Sequence, residues 1–255
     1  MYLNLHSSLA ENYNSNSQKI RVLTEDWVHK YIFCPSCGLG VKEYENNKPV
    51  ADFYCSQCHE DYELKSKNGS MGKKIVDGAY TTMIERLKSN NNPNFFFLNY
   101  DKNTYDIQNF VVIPKHFFVP EIIEKRKPLS STARRAGWTG CNILLETIPE
   151  SGKIFYVKDH IFQSKDKIIE EWNRTSFLKE SRNINSRGWL LEIIRCIEKL
   201  DKKQFSLNEL YQFEKYLKTK YPKNNNIQAK IRQQLQILRN KDYLEFISLG
   251  KYKLK

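Results

Sequence analysis

No run of 18 apolar residues occurs anywhere in the 255-residue chain, so no transmembrane helix is expected. The first residues, Met-Tyr-Leu-Asn-Leu-His, lack the basic start and apolar stretch of a secretion signal, and we expect a cytoplasmic protein. Acidic residues are in short supply. There are 29 Asp and Glu against 41 Lys and Arg, a formal net charge of +12. That balance favours a polyanionic partner, a nucleic acid or an acidic membrane surface. What is present is sufficient for a core, since 40% of residues are hydrophobic and 13% aromatic, which excludes a disordered chain. The length leaves room for one large domain or two smaller ones.

Cysteine is sparse but ordered. Four of the six cysteines form two Cys-x-x-Cys pairs, Cys34/Cys37 and Cys55/Cys58, while Cys141 and Cys196 stand alone. With 17 residues between the pairs, the pattern is C-x₂-C-x₁₇-C-x₂-C. This lies within the spacing of a tetrahedral four-cysteine zinc site. In a reducing compartment, paired cysteines are metal ligands more often than disulfides. Gly38, directly after Cys37, suits a tight turn that aims sulfurs at one point. All four positions are protein ligands, so no coordination place stays open for a catalytic water. The expected zinc is structural.

The second pair sits inside residues 49–65, Pro-Val-Ala-Asp-Phe-Tyr-Cys-Ser-Gln-Cys-His-Glu-Asp-Tyr-Glu-Leu-Lys. Val50, Asp52 and Tyr54 alternate as on a strand, and so do Tyr62 and Leu64 against Glu63 and Lys65. The stretch reads as a hairpin, with Glu63 and Lys65 side by side on one face. Asp52 approaches them if the two strands pair. Two carboxylates can hold Mg²⁺ through oxygen, and an ammonium beside them can touch a water or a phosphate. Asp52, Glu63 and Lys65 thus have the acid…acid-x-lysine order that a magnesium-dependent nuclease needs. Glu-x-Lys by itself is common and usually marks a solvated strand face.

Along the chain, Ser17 is placed to cap a helix to about Lys30, with Ile20, Leu23, Trp27 and Val28 as its buried stripe. A helix is expected over 74–88, from Ile75, Ala79, Met83 and Leu87, with Asn90 and Pro93 ending it. The runs 95–98, 110–113 and 154–157 read as buried strands. Ile122 and Ile123 open a short amphipathic piece. Residues 125–140 are basic and glycine-punctuated, and Arg134, Arg135 and Trp138 are candidates for contacts to phosphates and bases. Two placements of Trp138 are open: presented by the loop, or folded back over the core. Residues 158–182 read as a helix and linker.

A second domain is expected from residue 183. Residues 183–255 hold 16 Lys and Arg against 7 Asp and Glu, whereas residues 1–182 hold 25 against 22, so the basic excess lies at the C-terminal end. Helices are expected over 188–200, 207–218 and 227–239, then strands around 244–247 and 252–254. Three helices followed by a hairpin is the order of a winged helix-turn-helix. In the third helix Ile227, Ile231, Leu235 and Leu238 form the buried stripe. That leaves Arg232, Gln233 and Gln236 for base edges, because Arg and Gln make paired hydrogen bonds to guanine and adenine.

Longer stretches then carry a resemblance. They include Val50-Ala51-Asp52-Phe53-Tyr54-Cys55, Glu63-Leu64-Lys65-Ser66-Lys67, Asp77-Gly78-Ala79-Tyr80 and Thr132-Ala133-Arg134-Arg135-Ala136-Gly137-Trp138. Ser186-Arg187-Gly188-Trp189 and Lys230-Ile231-Arg232-Gln233-Gln234-Leu235-Gln236 continue them. Over essentially its whole length the chain resembles the DpnI-type methylation-dependent restriction endonucleases. The resemblance implies a PD-(D/E)xK nuclease domain of mixed α/β (α+β) fold over 1–182, with a structural zinc site, and a winged-helix domain over 183–255. It implies a bacterial type II (IIM) enzyme that cuts double-stranded DNA at GATC carrying N6-methyladenine, with Mg²⁺, as a monomer. Asp52, Glu63 and Lys65 fall on the catalytic positions, Cys34, Cys37, Cys55 and Cys58 on the zinc positions, and Trp138 on a residue that senses the methylated adenine. Ala51 stands where the generic motif has Pro, as it does in the matching family stretch.

Three other readings explain less. A zinc-ribbon transcription factor gives Asp52, Glu63 and Lys65 no shared role. An HNH nuclease needs a histidine partner that His59 lacks at short spacing, and a deaminase needs a His-x-Glu motif that is absent.

Overall fold

A computed structural model describes residues 2–45, 51–89, 91–181 and 183–255. Val50, expected on the first hairpin strand, Asn90, expected to stop a helix, and Arg182, at the expected domain border, lie outside them. The chain divides into two compact units. One comprises 1–147 and 151–173, the other 148–150 and 174–255.

The first unit begins with α1 (Asn16–Tyr31), β1 (Lys42–Glu43), β2 (Phe53–Tyr54), β3 (Asp61–Asn68), β4 (Lys74–Ala79) and α2 (Tyr80–Lys88). It continues through β5 (Asn94–Tyr100), β6 (Ile107–Ile113), β7 (Ile123–Lys125), β8 (Gly140–Leu144), β9 (Ile154–Lys158), β10 (Ile161–Phe162) and α3 (Lys165–Arg174). Seven strands form one mixed sheet in the order β1-β2-β3-β5-β6-β9-β10, in which β3 and β5 run parallel. A second sheet has the order β4-β8-β7.

Every residue of β5 is buried, Asn94 and Asn99 included, as its apolar run over 95–98 requires when both faces of a strand are covered. On one face Leu23, Trp27 and Val28 of α1 and Ile168 and Trp172 of α3 join Phe53, Tyr62, Phe96, Phe110 and Tyr156 in a single core. Trp27 meets Phe110 edge-on at 5.3 Å and donates its indole N–H to Tyr2 O. The opposite side of the strands, with Glu63, Lys65, Phe95 and Phe97 in register, is left for chemistry and for a second apolar layer around Phe118.

Two expectations change here. The helix over 74–88 is a strand followed by a helix. Ile75, Ala79, Met83 and Leu87 share helical spacing, but Ile75 and Asp77 are buried between exposed neighbours, which is period two. Strand pairing to β8 outweighs the local pattern. The first helix starts after Ser15, not Ser17, and the two hydroxyls bond each other instead of capping the backbone.

The second unit contains α4 (Ile184–Lys199), β11 (Gln204–Ser206), α5 (Leu207–Tyr211), α6 (Glu214–Lys220), α7 (Ile227–Asn240), β12 (Leu244–Ser248) and β13 (Lys251–Leu254). The helix expected over 207–218 is broken at Gln212 and Phe213, where the Phe213 N–H reaches back to Leu210 O. The hairpin gains a third strand, in the order β11-β13-β12. Its edge strand β11 ends in Ser206, which caps α5 through a reciprocal capping box with Glu209. Ile227, Ile231, Leu235 and Leu238 of α7 are buried, as their spacing requires.

Candidate active site

The hairpin is present, and the second cysteine pair is its turn. Phe53 pairs with Tyr62 and Tyr54 with Asp61 in antiparallel register. The register continues one step outward, where the Asp52 N–H donates to Tyr62 O at 3.0 Å and places Asp52 across from Glu63. The Leu64 N–H donates to Asp52 Oδ2 at 2.7 Å, which fixes the carboxylate and leaves its other oxygen directed elsewhere. Along β3, Tyr62 turns into the core and Glu63 and Lys65 take the other face. The three residues singled out from sequence are therefore neighbours.

The structure adds two side chains. Lys65 Nζ lies 2.5 Å from Glu63 Oε1 and 2.6 Å from Asp77 Oδ1 of β4. Arg86 Nη1 of α2 lies 3.5 Å from Glu63 Oε2. Asp77 is the most enclosed of the group, with its side chain 6% exposed against 19% for Glu63 and 25% for Lys65. Burial pushes the Glu63 carboxyl above its ordinary range. Lys65 opposes that shift, and Asp77 and Asp52 reinforce it. Burial alone would lower the Lys65 ammonium, but Glu63 and Asp77 outweigh it and raise it. On α1, burial likewise raises Glu25, with a smaller push from the Asp52 charge.

Beside this cluster the four sulfurs of Cys34, Cys37, Cys55 and Cys58 all lie within 4.8 Å of one another. Cys34 and Cys58 are 3.3 Å apart and Cys37 and Cys55 3.4 Å. Four sulfurs about 2.3 Å from a tetrahedral zinc would stand about 3.8 Å apart, so the donor set suits such an ion. Each pair sits in the same turn. Gly38 N–H donates to Cys34 O, and His59 N–H to Cys55 O. The residue after each second cysteine is left-handed, Gly38 at φ 77° and His59 at 58°. Burial pushes the Cys55 thiol up, yet the N–H groups of Cys58 and Gln57 outweigh it and bring it down to about 7. Burial instead raises the Cys34 and Cys58 thiols.

The basic loop is closed by backbone hydrogen bonds from Leu129 to Trp138 and from Arg126 to Gly140. Trp138 is folded back and half-buried. Its ring edge comes so near Gly140 that a Cβ there would meet it at 2.8 Å, and the Arg135 guanidinium covers the ring at 4.5 Å. Arg134 is exposed.

In the second unit Arg232, Gln233 and Gln236 are all exposed on α7, on the face opposite its buried stripe. Arg232 and Gln236 are one turn apart, and the Arg232 guanidinium donates to the Tyr211 hydroxyl at 2.6 Å. Gln233 also lines a cleft of about 270 Å³ with Lys230, Ile237, Phe177 and Leu190. Gln234 is buried.

A model of the Dam-replacing family, the DpnI family, matches residues 1–181, and a model of the Dam-replacing HTH domain matches residues 185–254. The chain belongs to the Dam-replacing (DpnI) family. Membership implies a nuclease of restriction-endonuclease type, and the helix-turn-helix domain implies DNA binding. The four-cysteine cluster of this Dam-replacing chain could hold a metal such as zinc. No helix among its described residues is long and apolar enough to cross a membrane.

Asp77 and Arg86 are the site residues that sequence reasoning missed. The signal for Asp77 was masked, because the alternation of buried Ile75 and Asp77 with exposed Lys74, Val76 and Gly78 is overlaid in the sequence by the helical spacing of Ile75, Ala79, Met83 and Leu87. Arg86 carried none, being one cation on an amphipathic helix.

Proposed function

We propose that the chain is a type II, methylation-dependent restriction endonuclease. It hydrolyses a phosphodiester bond of double-stranded DNA at GATC sites carrying N6-methyladenine, in the bacterial cytoplasm and as a monomer. The observation that carries this reading is the meeting of Asp52, Glu63 and Lys65 on one sheet face, in a chain whose other unit is a helix-turn-helix domain.

Asp52 and Glu63 are the residues that would hold Mg²⁺. Both offer hard carboxylate oxygens, the donors that ion takes, and they stand opposite each other on paired strands. Bound Mg²⁺ supplies Lewis-acid polarisation of the scissile phosphate and charge for the leaving alkoxide. The Leu64 N–H holds Asp52 in one orientation, so no rotamer search precedes ion capture. Lys65 offers an ammonium to the attacking water or to the phosphate. Arg86 adds a second cation beside Glu63. The cysteine cluster, as a structural zinc site, holds the hairpin turn and with it the spacing of Asp52 and Glu63. Four clustered thiols also suit a reducing compartment.

Selectivity for methylated DNA has to come from small terms. Burying one methyl gains about 0.8 kcal/mol, roughly a fourfold preference. A site methylated on both strands doubles that term. Two DNA-reading modules in one chain multiply their separate preferences. The loop with Arg134, Arg135 and Trp138 and the α7 face with Arg232 and Gln236 are those modules. Gln233, one turn from Gln236 on the same exposed side of α7, joins them and also borders the cleft.

The test is digestion of matched plasmids, methylated and unmethylated at GATC, with Mg²⁺ and the wild-type or Asp52→Ala chain. Wild type linearises the methylated plasmid alone, and Asp52→Ala linearises neither. Equal cutting of both plasmids would remove the methyl requirement, and full activity of Asp52→Ala would remove the active site.

A further inference from the structure

Lys65 is held from two sides by two acids on different sheets. Glu63 is its neighbour on β3, while Asp77 comes from β4, which pairs with β8 and not with β3. The two acids cannot play the same part. Glu63 is one of the two carboxylates that would face the ion, and an ion drawn to it competes with the ammonium for the same oxygens. Asp77 is the more deeply enclosed, and its edge strand is held in register against β8, Val76 against Asn142 and Asp77 against Cys141, up to an irregularity between Asp77 and Ala79. We propose that Asp77 is a positioning residue. It keeps the Lys65 ammonium in place when Glu63 turns to the metal, so that the lysine meets the water or phosphate instead of swinging into solvent. This rests on the nuclease reading above.

The charges agree with that division of labour. Asp52, Glu63 and Asp77 face Lys65 and Arg86, leaving the cluster one negative charge to offer a cation. Without Asp77 the lysine has Glu63 as its only carboxylate partner in the cluster, and holding the lysine then means withholding Glu63. The requirement is one of charge. The Asp77 carboxylate reaches Nζ directly at 2.6 Å, and an amide of the same shape keeps the packing but loses the ion pair.

The experiment uses the full chain with Asp77→Asn and Asp77→Glu, alongside wild type and Asp52→Ala. Three quantities are read: thermal melting, affinity for the methylated duplex in Ca²⁺, and the single-turnover cutting rate across a Mg²⁺ titration. We expect Asp77→Asn to bind DNA within about twofold of wild type. It should cut about 100-fold more slowly, the scale on which a reacting group displaced by about an ångström loses rate. Saturating Mg²⁺ should not restore the loss, because the lysine and not the ion is misplaced. Asp77→Glu, which keeps the charge, should recover at least a tenth of the wild-type rate.

Wild-type cutting by a folded Asp77→Asn would overturn the inference, as would full rescue by Mg²⁺, which would make Asp77 act on the ion. Failure of both variants to fold would make Asp77 a packing residue and overturn it too. Asp52→Ala keeps the two readings apart. If Asp52→Ala is dead and Asp77→Asn is normal, only this inference falls. If Asp52→Ala cuts, the active site itself is wrong.

Discussion

At the scale of single residues, the site works by denying side chains their usual freedom. Asp52 is pinned by the Leu64 N–H, and Lys65 by two carboxylates. Asp52→Ala and Lys65→Ala are each expected to slow cutting by at least about 10²–10³-fold, the range for removing one preorganised charge partner from a reaction centre. Affinity for methylated DNA, measured in Ca²⁺, should stay near wild type, because neither residue reads a base. Asp52, Glu63 and Lys65 were legible because strand period and motif agree. Asp77 was hidden because i, i+4 apolar spacing and i, i+2 burial overlap in residues 75–79. Only the pairing with β8 decides between them, and that contact is more than sixty residues away in sequence.

At the scale of elements, turns and caps carry more than their length suggests. The Cys55–Cys58 turn joins the two strands of the hairpin that carries Asp52 and Glu63, and its sulfurs gather with those of Cys34 and Cys37. Structural zinc contributes on the order of 10 kcal/mol to folding. Cys34→Ser is therefore expected to unfold or sharply destabilise the first unit. Elemental analysis should find about one zinc per wild-type chain. Zinc-free wild type with an undiminished melting temperature would contradict this. The cysteine spacing made the cluster legible, whereas the equivalent left-handed turn at His59 was not, since histidine does not announce that conformation as glycine does.

In the second unit the Ser206–Glu209 capping box invites a pH test. Lys202, followed by the Ser206 N–H and hydroxyl, holds the exposed Glu209 carboxyl down at about 2. A depressed folded value means stability that is present above the unfolded value near 4.5 and fades as pH falls toward 2. The stability gap between wild type and Glu209→Gln should thus be full at pH 7 and shrink below about pH 4.5. Ser206→Ala should cost about 1 kcal/mol in chemical denaturation. Serine at 206 with glutamate at 209 spells this box in the sequence, but β11, which leads into it, is three residues long and too short to show a period.

At the scale of the whole molecule, two features fall in different units: the carboxylate–lysine cluster in one, most of the basic excess in the other. A fragment from Arg174 onward retains Leu178, which is fully buried, and should bind DNA without cutting it. Its affinity should fall steeply with salt, as each phosphate contact releases a counterion. The decisive reading is its preference between methylated and unmethylated GATC duplexes. We expect at least about a fourfold ratio, the value of one buried methyl. Equal binding would leave methyl reading to the Trp138 loop alone. The shared hairpin has one more effect, and it concerns history. Two carboxylates that would hold Mg²⁺ and two thiols that would hold zinc lie on a single stretch of chain, residues 52–63. Brief chelation should remove only the first ion, and adding Mg²⁺ should return full cutting at once. Prolonged strong chelation should strip the second as well, and Mg²⁺ alone should then fail. Two samples given the same Mg²⁺ would thus differ in activity by how long each had been chelated, a difference that only zinc returned during refolding should erase.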